Sequence, residues 1–203
     1  MKITWLGHAC FAAESDGYRI VFDPYTMEVY PPLYTSAHEI LCSHGHRDHN
    51  YVEAVELLAK RKSPFTVCEV ESFHDDQEGA ARGTNRIHIA EAEGIRVVHL
   101  GDLGHELSAE QIAAVGRCDV LMIPVGGFYT IDAAAAKKVA DSLRAKIVVP
   151  MHYRHGEYGL RVVGEVEEFL ALCEGMEIKK LEGNSFEVAP ASPAGVIVPN
   201  FVH

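Results

Sequence analysis

Short apolar runs separated by polar or turn residues dominate the first half of the chain. Runs at residues 3–6, 10–13, 18–22, 39–42 and 65–70 predict β-strands, because each is of strand length and bounded by turn signals. The Asp16-Gly17 pair predicts a hairpin between two of them. Residues 85–90 and 94–100 predict a second hairpin, and residues 24–38 and 71–84 predict loops.

Helical periodicity appears later. Apolar spacing predicts helices at residues 51–60, 109–115, 132–143 and 163–173. Between them, residues 120–124 and 146–150 predict buried strands, and residues 177–181 and 185–188 predict two short final strands. Strands followed by helix–strand alternation favour a mixed α/β (α+β) fold with sheets sandwiched between helices. The tail at 189–203 is interpreted either as an interface arm or as a loose segment.

Length and charge limit the function classes. The 203 residues favour one domain over the whole chain, and a formal net charge of -11 argues against unspecific nucleic-acid binding. No apolar run approaches membrane-spanning length, and the first residues do not resemble a signal peptide. The five cysteines lack C-x-x-C spacing and are interpreted as buried, reduced thiols of a cytoplasmic protein. A small-molecule substrate is the expected partner, with no membrane and no nucleic acid; a homo-oligomer is left open.

Candidate metal ligands are concentrated in residues 44–49. His44, His46, Asp48 and His49 follow the predicted strand at 39–42 directly. In an extended segment His44, His46 and Asp48 would face one side, and His49 would reach a neighbouring position if the chain turns into a helix there. Imidazole and carboxylate suit zinc, manganese or iron, so the cluster predicts a metal centre.

Three further candidates follow apolar strands. They are His74, Asp102 and His152, and functional side chains are commonly presented on loops at strand ends. Together with the cluster they make five histidines and two aspartates. Two three-ligand sites that share one bridging carboxylate require that number of ligands.

Several motifs resemble the metallo-β-lactamase superfamily. Its hallmark H-x-H-x-D-H matches His44 to His49, and the similarity runs from Lys2 to about Val188, nearly the whole chain. The other motifs resemble the subgroup of ascorbate-6-phosphate lactonase-like proteins: Gly7-His8, Asp23-Pro24, Phe73-His74-Asp75, Arg82-Gly83-Thr84-Asn85, Gly101-Asp102-Leu103-Gly104-His105, Pro124-Val125-Gly126-Gly127 with Tyr129-Thr130-Ile131-Asp132, and Pro150-Met151-His152-Tyr153.

The resemblance implies a four-layer αββα sandwich with two divalent metal ions at one edge of its sheets. Zinc is the first expectation, with manganese or iron as alternatives. The implied ligands are His44, His46 and His74 for one ion and Asp48, His49 and His152 for the other, with Asp102 as the bridge. The implied activity is hydrolysis of a small lactone, ester or phosphoester by a metal-activated hydroxide.

Asp48 and Asp102 are the predicted catalytic carboxylates, and the free oxygen of Asp48 is expected to orient the nucleophile or carry a proton. Residues predicted to support the ligands or contact substrate are His8, Asp23, Arg82, His105, Tyr129, Thr130, Tyr153 and Arg154. Asp23 is the first candidate partner for a ligating imidazole. For Arg82 and Arg154 a surface salt bridge or loop brace is the alternative role.

Two other functions stay open. One is a metal-binding sensor or structural module without catalysis, and the other is a nuclease or phosphodiesterase of the same superfamily. The acidic balance speaks against a nuclease. A structural zinc site is usually closed by four ligands and often rich in cysteine, which differs from the predicted seven-ligand set.

Overall fold

A computed structural model describes residues 1–202 of the chain. Fourteen strands and three α-helices occur in this part of the chain. The strands are β1 Lys2–Gly7, β2 Cys10–Ser15, β3 Tyr18–Phe22, β4 Thr35–Ala37, β5 Glu39–Leu41, β6 Val55–Leu57, β7 Thr66–Phe73, β8 Thr84–Ala92, β9 Ile95–His99, β10 Val120–Pro124, β11 Ile147–Met151, β12 Ile178–Lys180, β13 Ser185–Glu187 and β14 Gly195–Val198. The helices are α1 Ala109–Val115, α2 Ala133–Ser142 and α3 Val166–Ala171.

Two large sheets carry the architecture. One has the strand order β13-β1-β2-β3-β5, the other has the order β12-β14-β11-β10-β9-β8-β7, and β4 pairs with β6 separately. In the first sheet β1, β3 and β5 run in the same direction, because β2 is antiparallel to β1 and β3 while β3 is parallel to β5. In the second sheet β7, β9, β10 and β11 also share one direction. Within each sheet, the carboxyl ends of these strands therefore lie at the same edge.

The main hydrophobic core lies between the two sheets. Alternation along the strands directs Ile3, Trp5 and Phe22 from the first sheet into one buried cluster with Val97 and Leu121 from the second. Because successive side chains face opposite sides of a strand, Cys10, Ala12 and Val21 face away from this core. These outward side chains belong to a second, smaller cluster.

The outer layers of the two sheets differ. On the seven-stranded sheet α1 packs against β7 and α2 packs against β10, with α3 beside α2. On the five-stranded sheet the second cluster is covered by Tyr25 and Tyr30 of the long loop and by Val55 of β6. The mixed α/β fold class is confirmed, and this face is closed by loop and short strands.

The prediction of a helix at 51–60 is wrong. The chain forms one 3₁₀ turn at Val52–Ala54 and then strand β6, which pairs in parallel with β4. Pairing with β4 and burial of Val55 against Tyr25 and Tyr30 outweigh the local helical spacing, and Val55 is β-branched, which favours a strand.

Other differences lie near the C-terminus and at one cysteine. The helix predicted at 163–173 is shorter, and the 189–203 tail contains β14, which inserts between β11 and β12 of the larger sheet. The five cysteines form no disulfide within residues 1–202, but Cys68 is exposed on edge strand β7, contrary to the prediction of buried thiols. None of the helices within residues 1–202 is long and apolar enough to cross a membrane.

Candidate metal centre

Six strand ends supply the polar side chains of the site. His8, Asp23 and the 44–49 segment follow β1, β3 and β5 of the first sheet. His74, Asp102 and His152 follow β7, β9 and β11 of the second sheet. Since these strands are parallel within each sheet, the topology delivers all six segments to one end of the sandwich.

One carboxylate oxygen, Oδ2 of Asp102, is the meeting point of four imidazoles. It lies 3.1 Å from Nε2 of His49, 3.2 Å from Nε2 of His74 and 3.4 Å from Nε2 of His152. Nε2 of His44 is 4.0 Å away. Asp102 is 2% exposed, so this carboxylate is buried among nitrogen donors from both sheets.

The donors fall into two groups on either side of Asp102. Potential ligand atoms of His44, His46 and His74 lie within 4.8 Å of one another. A second group of the same compactness contains His49 and His152 together with His8. All seven predicted metal-ligand residues therefore come together in or beside one cluster, and His8 adds an eighth donor.

The 44–49 segment is not extended, so the prediction that alternate residues share a face is wrong. Its residues form bends and a turn, and the His49 amide donates to the His46 carbonyl at 2.9 Å. The turn separates the donors: His44 lies beside His46 and His74, whereas Asp48 Oδ2 lies 3.9 Å from Nε2 of His49. One short loop thus supplies both groups.

Asp23 anchors this loop from below. Its carboxylate accepts from the Ser43 amide at 2.7 Å and from the Ser43 hydroxyl at 2.6 Å, and its Oδ2 lies 2.8 Å from Nδ1 of His49. Burial works to raise the pKa of Asp23, but the hydrogen bond and charge of His49 outweigh it and lower the pKa to about 2. The ionised carboxylate therefore places the Nδ1 proton of His49 toward itself and leaves Nε2 facing Asp102.

The electrostatics of the two central residues reinforce each other. Burial alone would lower the pKa of His49, yet Asp102 and Asp23 raise that pKa well above its usual value. Burial alone would raise the pKa of Asp102, yet His152 and His49 hold that pKa well below its usual value. Each of these two residues therefore favours the charged form of the other.

His8 is held in the site by an unusual backbone. It has a φ of +50° and follows Gly7 with a φ of +106°, which turns the chain between β1 and β2. Its ring centroid lies 4.3 Å from that of His152, and its Nε2 lies 3.7 Å from Oδ2 of Asp48. Burial and the neighbouring His152 lower the pKa of His8 to about 4, so the ring is neutral at pH 7.

An open cavity of about 360 Å³ lies over the donors. It is lined by His46, Asp48, His74, Arg82, Asp102, Tyr129, His152 and Leu160. Two of the predicted substrate contacts, Arg82 and Tyr129, lie in this lining. The cavity therefore gives a small molecule access to the donor cluster, with Arg82 and Tyr129 in its wall.

Four other predicted contacts lie elsewhere. Tyr153 is 1% exposed and stacks on Trp5 in the core, and Arg154 forms an ion pair with Glu165 at 2.6 Å. Nε2 of His105 accepts from the amide of Phe73, and its side chain borders a separate groove. The Thr130 hydroxyl donates to the carbonyl of Ile131. Tyr153 directly follows His152 and Thr130 directly follows Tyr129, yet none of these four side chains lines the cavity.

Some supporting residues had no assigned role in the sequence-based prediction. Ser43 bonds Asp23 and lies 2.9 Å from Nδ1 of His44, and Asn85 Oδ1 accepts from the Asp102 amide at 3.0 Å. Ser43 directly precedes the His cluster, and Asn85 belongs to one of the recognised motifs, so both positions carried a signal. Leu160, in the cavity lining, had none.

The donor set fits divalent metal ions. Within residues 1–202 the buried Nε2 of His49 and Oδ1 of Asp102 have no hydrogen-bond partner. His49 Nε2 lies 3.1 Å from Asp102 Oδ2, an oxygen that three other imidazoles also approach. Unpaired buried polar atoms are costly, and metal coordination would satisfy them. Imidazole nitrogen and carboxylate oxygen are the ligands that zinc, manganese and iron accept.

The chain resembles known proteins over most of its length. The family model described as the beta-lactamase superfamily domain matches residues 2–152. A "UPF0173 metal-dependent hydrolase" of Archaeoglobus fulgidus is 30% identical over 195 residues, covering 75% of this chain and 83% of the relative.

Solved structures agree with this result. A Thermotoga maritima protein, described as a candidate zinc-dependent hydrolase of the metallo-β-lactamase superfamily, is 37% identical with a TM-score of 0.77, covering 98% of this chain and 97% of that one. Igni18, a metallo hydrolase of Ignicoccus hospitalis, has a TM-score of 0.60 and 21% identity, covering 92% of this chain and 98% of that one. The second likeness concerns the fold alone.

Proposed function

The chain belongs to the metallo-β-lactamase superfamily, and on this premise we propose that it is a hydrolase with two divalent metal ions that cleaves a small-molecule lactone, ester or phosphoester. Relatives described as metal-dependent hydrolases support the coarser part of this assignment, a metal-dependent hydrolase. The observation that carries the proposal is the convergence of four imidazole Nε2 atoms within 4.0 Å of one oxygen of Asp102. Donors at such density are expected for a pair of ions that share a carboxylate.

The first donor group suggests one ligand set, and the second suggests the other when Asp48, 3.9 Å from Nε2 of His49, takes the place of His8. We assign His44, His46 and His74 to one ion and Asp48, His49 and His152 to the other, with Asp102 shared between them. The first set is compact in the structure. In the second set Asp48 is the most exposed member, with 31% of its side chain accessible, so it borders the cavity where substrate enters.

Bound ions would supply a hydroxide nucleophile near neutral pH and would polarise the oxygen that gains charge. The residues of the chain orient this chemistry. Asp23 holds the Nδ1 proton of His49 and so directs the lone pair of Nε2 into the site. Asp48 has a second carboxylate oxygen with which it can accept a proton from the nucleophile, and His8 lies 3.7 Å from Asp48 on its buried side.

The first test combines elemental analysis with a hydrolysis panel. Purified protein is expected to contain two metal ions per chain and to hydrolyse lactones, activated esters or phosphodiesters, and chelation is expected to remove this activity. Metal bound without turnover over a wide panel would favour a sensor or structural module. Activity on RNA or DNA alone would favour a nuclease, which the net charge of -11 opposes.

The role of Asp48 has its own test. Asp48→Asn retains an oxygen donor but loses the basic carboxylate, so we expect it to keep part of the metal while turnover falls by about 100-fold or more. Glu165→Gln is a matched control, because Glu165 pairs with Arg154 away from the cavity lining. Turnover of Asp48→Asn close to that of the unaltered protein would remove Asp48 from the mechanism.

A further inference from the structure

Arg82 is a cation without an acidic partner in the wall of the metal cavity. Within residues 1–202 no carboxylate oxygen lies within 4 Å of its guanidinium, whereas Arg86 and Arg154 each have a glutamate partner. Arg82 shares the cavity lining with His46, His74 and Asp102. The chain has a net charge of -11, yet this arginine has no carboxylate partner. Its positive charge is therefore available to a negatively charged ligand in the cavity.

The backbone that carries Arg82 is fixed. The carboxylate of Asp75 accepts four backbone amides of this loop, and the amide of Arg82 is one of them, at 2.7 Å. Asp75 directly follows His74, so the position of Arg82 is tied to a donor of the site. The guanidinium is therefore presented from a rigid loop at a defined distance from the donors.

The neighbouring loop at residues 126–130 orients the side chain of Arg82. Nη2 of Arg82 donates to the carbonyl of Phe128 at 3.2 Å, and its guanidinium carbon lies 5.5 Å from the ring centroid of Tyr129. A guanidinium has five N–H donors, so most remain available. Phe128 has a φ of +63° and Gly127 a φ of +66°, which turns this loop so that its carbonyl and aromatic ring meet Arg82.

This neighbouring loop is tied to the donors as well. Gly126 packs so closely on the carbonyl of His152 that any Cβ at this position would clash with it. Because this loop packs on His152 at Gly126 and contacts Arg82 at Phe128 and Tyr129, Arg82 and Tyr129 form one continuous rim above the donor cluster. We call this pair the Arg82–Tyr129 rim.

We propose that the Arg82–Tyr129 rim binds an anionic group of the substrate, a carboxylate or a phosphate, while the scissile bond lies over the donor cluster. The inference rests on the proposed hydrolase function and narrows it to anionic lactones, esters or phosphoesters. A guanidinium pairs two oxygens of a carboxylate or phosphate through parallel N–H donors, which fixes orientation as well as affinity. The ring of Tyr129 packs against the guanidinium through a cation–π contact and so helps to fix its orientation.

The test compares a neutral and an anionic ester on the metal-loaded protein. The substrates are 4-nitrophenyl acetate and 4-nitrophenyl hemiglutarate, and the measured quantity is the ratio of their kcat/KM values. We expect Arg82→Gln to lower the anionic-to-neutral ratio by about 10–100-fold, as for loss of a charge-assisted hydrogen-bond pair. Arg86→Gln is the matched control, since Arg86 is exposed, pairs with Glu69 and lies outside the cavity lining; it should leave the ratio unchanged.

A binding measurement separates this inference from the proposed function. Calorimetric titration of the metal-loaded protein with glutarate and with glycerol 3-phosphate is expected to show binding of at least one, weakened about tenfold or more in Arg82→Gln. If only glutarate binds in an Arg82-dependent way, the anionic group of the substrate is a carboxylate. If only glycerol 3-phosphate does so, that group is a phosphate. Binding without ester hydrolysis would contradict the hydrolase function and leave the rim in place. An unchanged ester ratio, equal affinity in Arg82→Gln, or no binding of either anion would overturn the inference.

Discussion

Replacing Asp23 by Asn tests how the site sets the orientation of His49. Asp23 is fully buried and receives three hydrogen bonds, from the amide and hydroxyl of Ser43 and from Nδ1 of His49. A carboxylate accepts on both oxygens, whereas an amide accepts on one and donates from the other. If the amide nitrogen faces His49, Nδ1 must accept, and the ring proton moves to Nε2, where it blocks metal coordination.

The structure sets the size of both effects. The fall in the pKa of Asp23 from 3.8 to about 2 corresponds to about 2.5 kcal/mol in favour of the ionised, hydrogen-bonded carboxylate. We expect Asp23→Asn to destabilise the metal-free protein by about 2–4 kcal/mol, because buried donors lose a charged acceptor. We expect zinc affinity to fall about 10–100-fold, as when the partner of a ligating histidine is lost.

The assay is competition for zinc against a chromophoric chelator, with urea unfolding of the metal-free protein as the second measurement. Asp132→Asn is the control, since Asp132 accepts the amide of Ala135 at the start of α2, and Asp and Asn cap helices about equally well. If Asp23→Asn binds zinc within about threefold of the unaltered protein, the proposed control of the His49 tautomer is refuted.

Three further predictions follow from the same cluster. Although burial opposes it, Asp102 raises the pKa of His49 well above its usual value, so metal binding at pH 7 should release about one proton. Calorimetry in buffers of different ionisation enthalpy measures the number of protons released. A binding enthalpy that does not change with the ionisation enthalpy of the buffer would contradict this expectation. Burial lowers the pKa of His8 to about 4, so only the unfolded state takes up this proton near pH 6.5. The contribution of His8 to the stability of the metal-free protein should therefore be fully present above pH 6.5 and fall by about 3 kcal/mol toward pH 4. In urea unfolding, His8→Gln should lose correspondingly less stability over this pH range than the unaltered protein, and equal losses would argue against this reasoning. Gly101→Ala should destabilise by about 2–3 kcal/mol, because a Cβ there would clash with Ser43 and φ is +55°; an unchanged urea midpoint would refute this reasoning.

Much of the strand pattern was predictable because it is local. The hairpin at Asp16-Gly17 forms as predicted, since both residues adopt positive φ in the turn, and α1 has the predicted bounds. The 51–60 segment was not predictable in this way. Its apolar spacing suits a helix, and only β4, brought alongside by the chain path, makes β6 the better solution.

The rim of the site shows the same limit. Tyr129 and Thr130 are neighbours, yet one lines the cavity and the other bonds its own backbone. Arg82 and Arg154 were equal candidates, and only the position of Glu165 separates the paired arginine from the free one. Side-chain direction at loop positions depends on contacts from distant segments, which no short pattern records.

The chain by itself determined which donors are available and that each follows a strand, because both are properties of residue type and short-range periodicity. Tertiary structure alone decided that His8, His49 and His152 face one another, that Asp102 lies between the two groups, and that Arg82 borders their cavity. The reason is that two sheets with parallel strand ends must pack face to face before residues about 140 positions apart, such as His8 and His152, can be neighbours.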